Sequence, residues 1–304
     1  MTIRFDRPVS HTARTARLLA AFSLILCILA LADHRFGPLP TPYLVLFVLL
    51  SALLAALSVI LAAIGLKDLW NRGAVAGAAA MAALLLAALP LGLFGFAVFR
   101  YATLPTLYDV SSDLANPPAW LQPPAPGLLW FARGEVTAAT REEQGIAYPA
   151  LTGRRYEGAL DRVLLAVRKV ARQRGFVFTR AEGADVRDPV IDDLPLKRPH
   201  GGPILQAPAI GPVPARRPEV KPDSDPIASL IARVTDVSLQ GEVRSRLLGL
   251  PFDVVIRLRE EEETTLVDIR VASRYGAHDL GFSDAVAENY LQALDAELLG
   301  IAGG

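Results

Sequence analysis

The chain has 304 residues, of which 52% are hydrophobic; Lys+Arg and Asp+Glu number 31 each, and there is a single cysteine. The neutral total hides an asymmetry: residues 1–100 carry eight basic and three acidic side chains, whereas residues 101–304 carry 23 and 28. An acidic carboxy-terminal part argues against nucleic-acid binding, which needs a basic footprint to neutralise phosphates, and one cysteine excludes an intrachain disulfide framework.

Three apolar runs, 18–32, 43–66 and 74–99, fill most of the first hundred residues. The second and third reach the roughly 20 residues that a 30 Å hydrocarbon layer requires of a helix rising about 1.5 Å per residue, so both are predicted to span a bilayer. Neither contains Asp, Glu, Lys or Arg, which leaves no intramembrane ionisable group for a proton relay or ion path. The first run is shorter. Arg14 and Arg17 precede it and Ala30-Leu31-Ala32 ends it, a pattern shared by signal peptides and first spans; retention as a span is expected, because a second run follows after a short loop. Arg4, Arg7, Arg14 and Arg17 lie before the first run, Lys67 and Arg72 between the second and third, and only Arg35 between the first two. The positive-inside rule then sets the amino terminus in the cytoplasm and residues 101–304 outside it, with or without cleavage of the first run. Pro90, Gly92 and Gly95 predict a bend in the third run, and Gly73 with Gly77 forms a small-xxx-small pair.

Beyond the anchor, residues 185–226 hold ten prolines and few large apolar side chains. They read as a disordered or polyproline-like insertion, locally basic through Lys197, Arg198, Arg216, Arg217 and Lys221, because proline removes backbone donors and little apolar area offsets the entropy of ordering. About 160 residues remain outside it, enough for one core. Before the insertion, Leu160, Val163, Leu164, Val167 and Val170 recur at helical spacing up to Gly175, and 176–179 follows as a short strand. After it, 231–239, 242–248, 252–259 and 266–275 read as antiparallel strands separated by Gly, Pro or the acidic 260–263 turn. A last helix is expected from Ser283, its hydroxyl the cap, with Val286, Tyr290, Leu294 and Leu298 as its apolar stripe. This order predicts an α+β fold with two helices on one face of an antiparallel sheet.

Strand alternation assigns the faces. Phe252, Val254, Ile256 and Leu258 point one way with Val267, Ile269 and Val271; Asp253, Arg257, Arg259, Asp268, Arg270 and Arg274 point the other, with Glu242, Arg244 and Arg246 behaving likewise. An arginine-rich face suits anions, since the guanidinium fork matches carboxylate and phosphate, which makes Arg257, Asp268, Arg270, Arg274 and Asp253 the candidate ligand-binding residues. The alternative is an outward face kept soluble by cross-strand Arg–Asp pairs, the usual state of an antiparallel sheet with one solvated side. The 270–281 segment also holds Ser273, His278 and Asp279, the residue types of a nucleophile, base and orienter. Alternation puts Ser273 on the apolar side and His278 in a turn, and adjacent His and Asp seldom support one another in the required orientation. These three are therefore expected to be structural, with Asp279 organising the turn or pairing with Arg274 or Arg270. No set of His, Asp and Glu has metal-ligand spacing, and no motif calls for a cofactor.

Several stretches together resemble one family. They are Ser245-Arg-Leu-Leu-Gly-Leu-Pro-Phe-Asp253, Val254-Val-Ile-Arg257, Val267-Asp-Ile-Arg270, Ser273-Arg-Tyr-Gly276 and Asp279-Leu-Gly281, preceded by Asp109-Val-Ser-Ser-Asp113 and Asn116-Pro-Pro-Ala-Trp120 just past the last apolar run. They resemble the signature of domain-of-unknown-function family 1499 in its multi-span, membrane-anchored bacterial form, over about residues 105–300. The resemblance implies the α+β domain and a bacterial membrane setting, which with the charge-based orientation gives an inner-membrane protein with a periplasmic domain, and it supplies no reaction.

Two functions follow as expectations. One is a non-enzymatic envelope protein, held in the lipid bilayer by residues 1–100, whose domain 101–304 binds an envelope protein or an anionic or amphiphilic ligand. The other is a periplasmic hydrolase or transferase using the 270–281 cluster, which requires Ser273 and His278 to converge in a cleft.

Overall fold

The structure, a computed structural model, describes residues 10–72, 76–124, 131–183, 213–214 and 236–300. They fall into two compact units, the first within Met1–Leu104 and Arg246–Leu250 and the second within Pro105–Ser245 and Pro251–Gly304.

The first unit consists of α1 (His11–Phe36), α2 (Thr41–Arg72) and α3 (Gly77–Thr103). All three are long and apolar enough to cross a membrane. At 26 residues α1 exceeds the apolar run 18–32, because the helix also takes in the basic turn before it, capped by the Ser10 hydroxyl. Small residues form the seam between the helices. Ala13, Ala16 and Ala20 of α1, Ala62 of α2, and Ala80 and Ala83 of α3 make one buried cluster, and the Ser23 hydroxyl of α1 donates to the Ser51 carbonyl of α2 at 2.7 Å. Large apolar side chains such as Leu53, Ile60 and Leu85 point outward, as expected of helices packed by small residues within lipid. Of the small-xxx-small pair, Gly73 lies outside the described residues. Pro90 sits buried inside α3, which continues as one helical element to Thr103.

The second unit contains β1 (Asp109–Ser111), α4 (Ala138–Ala147), β2 (Arg154–Glu157), α5 (Leu160–Arg174), β3 (Val177–Glu182), β4 (Val213–Pro214), β5 (Val237–Arg244), β6 (Pro251–Glu260), β7 (Thr264–Ser273) and α6 (Phe282–Leu298). The antiparallel sheet has the order β3-β5-β6-β7-β2-β4, with β1 also on β7. Thus β2 takes the first half of one edge of β7, through Leu266↔Arg155, and β1 takes the second half, through Arg270↔Ser111. The expected stripe of α5 is buried at every position, from Leu160 to Val170. It packs with α6 against the apolar face, where Val254↔Val271 and Ile256↔Ile269 stand in register. The buried Tyr290 phenol of α6 donates to the Val167 carbonyl at 3.1 Å, and its ring lies 4.9 Å from that of Phe176.

Several details differ from the sequence expectation. Strands 231–239 and 242–248 are replaced, among the described residues, by the single strand β5, which runs straight through Gly241. The glycine is an approach site and not a break: a Cβ there would meet the Val177 carbonyl oxygen at 2.2 Å, beside the register shift between Phe178 and Arg180 of β3. Residues 231–235 and most of the proline-rich insertion lie outside the described residues; Val213 and Pro214 pair with β2. Helix α6 begins at Phe282, one residue early, and its buried positions are Ser283, Ala287, Tyr290, Leu291 and Leu294. The cap is the Asp279 carboxylate, which accepts from the amides of Gly281 (2.8 Å) and Ser283 (2.6 Å). The Ser283 hydroxyl turns away and donates to the Tyr108 carbonyl.

Candidate functional site

The polar side chains of β5, β6 and β7 share the sheet face opposite α5 and α6, through the pairs Glu242↔Asp253 and Arg257↔Asp268. This face is not the solvated surface that simple alternation suggests. Asp268 is 1% exposed, Arg257 7% and Asp113 9%, because the chain following β1 runs over them.

Two carboxylates, Asp268 of β7 and Asp113 of the covering segment, organise the arginines. Arg257 Nη2 donates to Asp268 Oδ2 (2.8 Å), to Asp113 Oδ2 (3.2 Å) and to the Asn116 carbonyl (2.9 Å). Arg259 Nη2 reaches the same two carboxylate oxygens at 3.0 and 3.3 Å. The other oxygens are engaged as well: Asp113 Oδ1 accepts from the amides of Ala115 and Asn116, and Asp268 Oδ1 accepts from the Ser112 hydroxyl. Burial on this scale destabilises a charge unless partners replace water, and all four carboxylate oxygens of Asp113 and Asp268 have one. Further along, Arg270 holds Asp109 in a two-pronged pair (Nε–Oδ1 3.0 Å, Nη2–Oδ2 2.8 Å), donates to the Pro118 carbonyl and lies 4.9 Å over the Trp120 ring. Arg141 of α4 adds a second cation to Asp109 at 2.7 Å. At the far end Arg274 pairs with Asp253 (2.8 Å) and with Glu242. Burial works against the Arg274 charge, but these two carboxylates outweigh it and hold its pKa above the ordinary value.

The candidate ligand-binding residues Arg257, Asp268, Arg270, Arg274 and Asp253 are thus all brought onto one face, each engaged in an ion pair. Asp253 Oδ2, Arg257 Nε and Arg259 Nε are buried without a hydrogen-bond partner among the described residues. Ser273, His278 and Asp279 each serve the backbone of their own turn. The Ser273 hydroxyl donates to the Tyr275 carbonyl, His278 Nδ1 accepts from the Leu280 amide at 2.8 Å, and Asp279 caps α6.

Beside the Arg257–Arg259 network opens a cleft of about 410 Å³. Its floor follows from register: Leu266 of β7 is opposite Arg259 of β6 on one side and Arg155 of β2 on the other, so one cross-strand row reads Arg259, Leu266, Arg155. Its walls include Leu114, Tyr148 and Leu151, with Ser112, Thr152 and Glu261 as polar members. Gly153 is required here, because a Cβ would lie 2.5 Å from Asp268 Oδ1. Arg155 meets Glu261 at 2.9 Å in a pair exposed on both sides. Continuing the β5–β6 register sets Asp236 opposite Arg259; burial pushes its carboxyl up, against the pull of Arg257 and Arg259.

Sequence reasoning missed Arg155, since a four-residue strand carries too short an alternation to be read; it took Glu261 only as part of the acidic 260–263 turn, and Gly153, just before β2, carries no linear signal. Asp109 and Asp113 stood in recognised motifs, but nothing in a linear pattern pairs them with arginines about 150 residues away.

Fold and site define an α+β domain with a welded polar face and an adjoining cleft, in a chain that also carries three membrane-type helices. The model of the family described as Protein of unknown function (DUF1499) matches residues 215–294. The resemblance read from the motifs therefore holds across β5, β6, β7 and most of α6; the Asp109–Asp113 and Asn116–Trp120 stretches lie outside the matched span, yet fold onto it. No curated protein and no solved structure matches the chain.

Proposed function

We propose that the chain is a bacterial inner-membrane protein that presents, on the periplasmic side, a non-enzymatic domain binding a small anionic or amphiphilic ligand. The orientation rests on the basic residues: Arg4, Arg7, Arg14, Arg17, Lys67 and Arg72 flank the ends assigned to the cytoplasm, against Arg35 and Arg100 at the opposite ends. Three spans then carry the domain across. Binding rests on one observation, the cleft at the rim of the arginine network, whose volume lies in the range of small-molecule sites and whose lining combines apolar walls with a few convergent polar groups. In this reading Asp268, with Asp113 and Arg259, forms the inner wall, while Arg257, Arg270, Arg274 and Asp253 hold the face in shape. A non-enzymatic role is favoured because Ser273, His278 and Asp279 are committed to turn and cap geometry. Calorimetric titration of the full-length protein in lipid nanodiscs with hexanoate and with dibutyl phosphate tests the reading. Saturable one-to-one binding of either supports it, and flat titrations for both contradict it.

A further inference from the structure

The binding reading leaves open where the anionic group sits, and the charges around the cleft answer this. Asp113 and Asp268 offer no attraction for a cation, because both carboxylates are already saturated by Arg257, Arg259, Ser112 and two backbone amides. On the cation side, Arg259 is bonded among the described residues only through Nη2, and Arg155 only to Glu261. The Arg155–Glu261 pair is easily exchanged: its side chains are 44% and 40% exposed, and such pairs add little net stability. Glu261 stands in the turn between β6 and β7, where its carboxylate can swing to water without disturbing the sheet. Removing it from Arg155 leaves that guanidinium without a carboxylate partner among the described residues, across Leu266 from Arg259, whose Nε has no hydrogen-bond partner among them. Directly between Arg155 and Arg259 lies Leu266, with Tyr148 and Leu151 beside it.

We propose that the cleft holds a small monoanion with an apolar body, its oxyanion bridging Arg155 and Arg259 above Leu266 in the place the Glu261 carboxylate takes on Arg155. The head is a carboxylate or a phosphodiester, chemistries that share charge and forked acceptor geometry. The apolar body lies on Leu266 and along Tyr148 and Leu151. The volume suits a short acid or a headgroup-sized phosphodiester and excludes a whole two-chain lipid. This inference rests on the binding reading above and gives it a site and a charge.

The test uses the full-length protein in nanodiscs and three water-soluble probes: hexanoate, dibutyl phosphate and the neutral isostere hexanamide. At least one anion should bind saturably, and hexanamide at least about tenfold more weakly, the worth of one charge-assisted hydrogen bond. Arg155→Gln should weaken the anion about tenfold with the melting temperature unchanged. Glu261→Gln, which removes the internal competitor, should tighten it by up to about fivefold. A gain of affinity from deleting a carboxylate is an outcome that a merely structural pair does not produce. Hexanamide binding as tightly as hexanoate overturns the proposed charge recognition. Anion binding that persists unaltered in both variants overturns the site while leaving the general binding reading in place. No binding of either anion removes both.

Discussion

Asp113→Asn is the sharpest probe of the welded face. The carboxylate is 9% exposed and accepts four hydrogen bonds, from Arg257 and Arg259 at 3.2 and 3.3 Å and from the amides of Ala115 and Asn116 at 3.1 and 3.0 Å. The amide keeps the shape but turns a donor toward the guanidiniums and removes one of two charges that neutralise them. Breaking a buried pair destabilises by about 3–5 kcal/mol. The lower end applies, because both arginines retain Asp268 and Arg257 also retains the Asn116 carbonyl. For a unit of this size, about 3 kcal/mol corresponds to a fall of roughly 6–12 °C in melting temperature. Thermal scans of the full chain followed by tryptophan fluorescence suit the measurement, since Trp120 stacks under Arg270 in the same network. Arg155→Gln, which breaks only an exposed pair, should shift the same transition by less than about 2 °C. An Asp113→Asn protein melting within about 2 °C of the parent refutes the argument that this network holds the covering segment to the sheet.

Two further substitutions address the surroundings. The half-buried Asp284 carboxyl is pushed up to about 6 by burial and by the nearby Glu288 and Asp279 carboxylates, from an ordinary 3.8; the folded state therefore binds the proton more tightly, and stability from this group is present below about pH 4 and lost as pH rises through about 6. Asp284→Asn should thus raise the melting temperature at pH 7 by about 2–4 °C, or about 1 kcal/mol after solvent screening, with no gain at pH 4; an equal gain at both pH values contradicts the assignment. Gly153→Ala should drive a methyl against Asp268 Oδ1, lowering stability by about 1–3 kcal/mol and weakening hexanoate binding in the titration, and a neutral result in both readouts argues against close packing of this loop over the carboxylate.

Much of this architecture was legible in the chain because it is periodic. The α5 stripe from Leu160 to Val170 and the alternation along 252–259 and 266–273 survive into the structure, within strands Pro251–Glu260 and Thr264–Ser273, residues 274–275 falling beyond the strand, since a twofold or 3.6-fold repeat over eight or more positions leaves few other ways to bury the apolar set. Short elements were not legible. β1 and β2 have three and four residues, and α4 buries only Gln144, whose amide bonds both backbone groups of Ser111 as a strand neighbour would. Gly241 was misread as a boundary because sequence does not reveal that another backbone needs to pass there. The arginine face was correctly assembled but not its environment. Whether Arg257 meets water, a ligand or Asp113 depends on where residues 112–116 cross the sheet, and that crossing is fixed by tertiary contacts and not by any local pattern. The cleft was invisible for the same reason, its two arginines being 104 positions apart and joined only through the Leu266 register.

The central claim is that an odd number of spans delivers a ligand-binding domain to the far side of the membrane. Fusing alkaline phosphatase, which is active only outside the cytoplasm, to the carboxy terminus of the full chain and, separately, into the 67–72 loop tests it in intact cells. The account predicts an active carboxy-terminal fusion and an inactive loop fusion; an inactive carboxy-terminal fusion with an active loop fusion contradicts it.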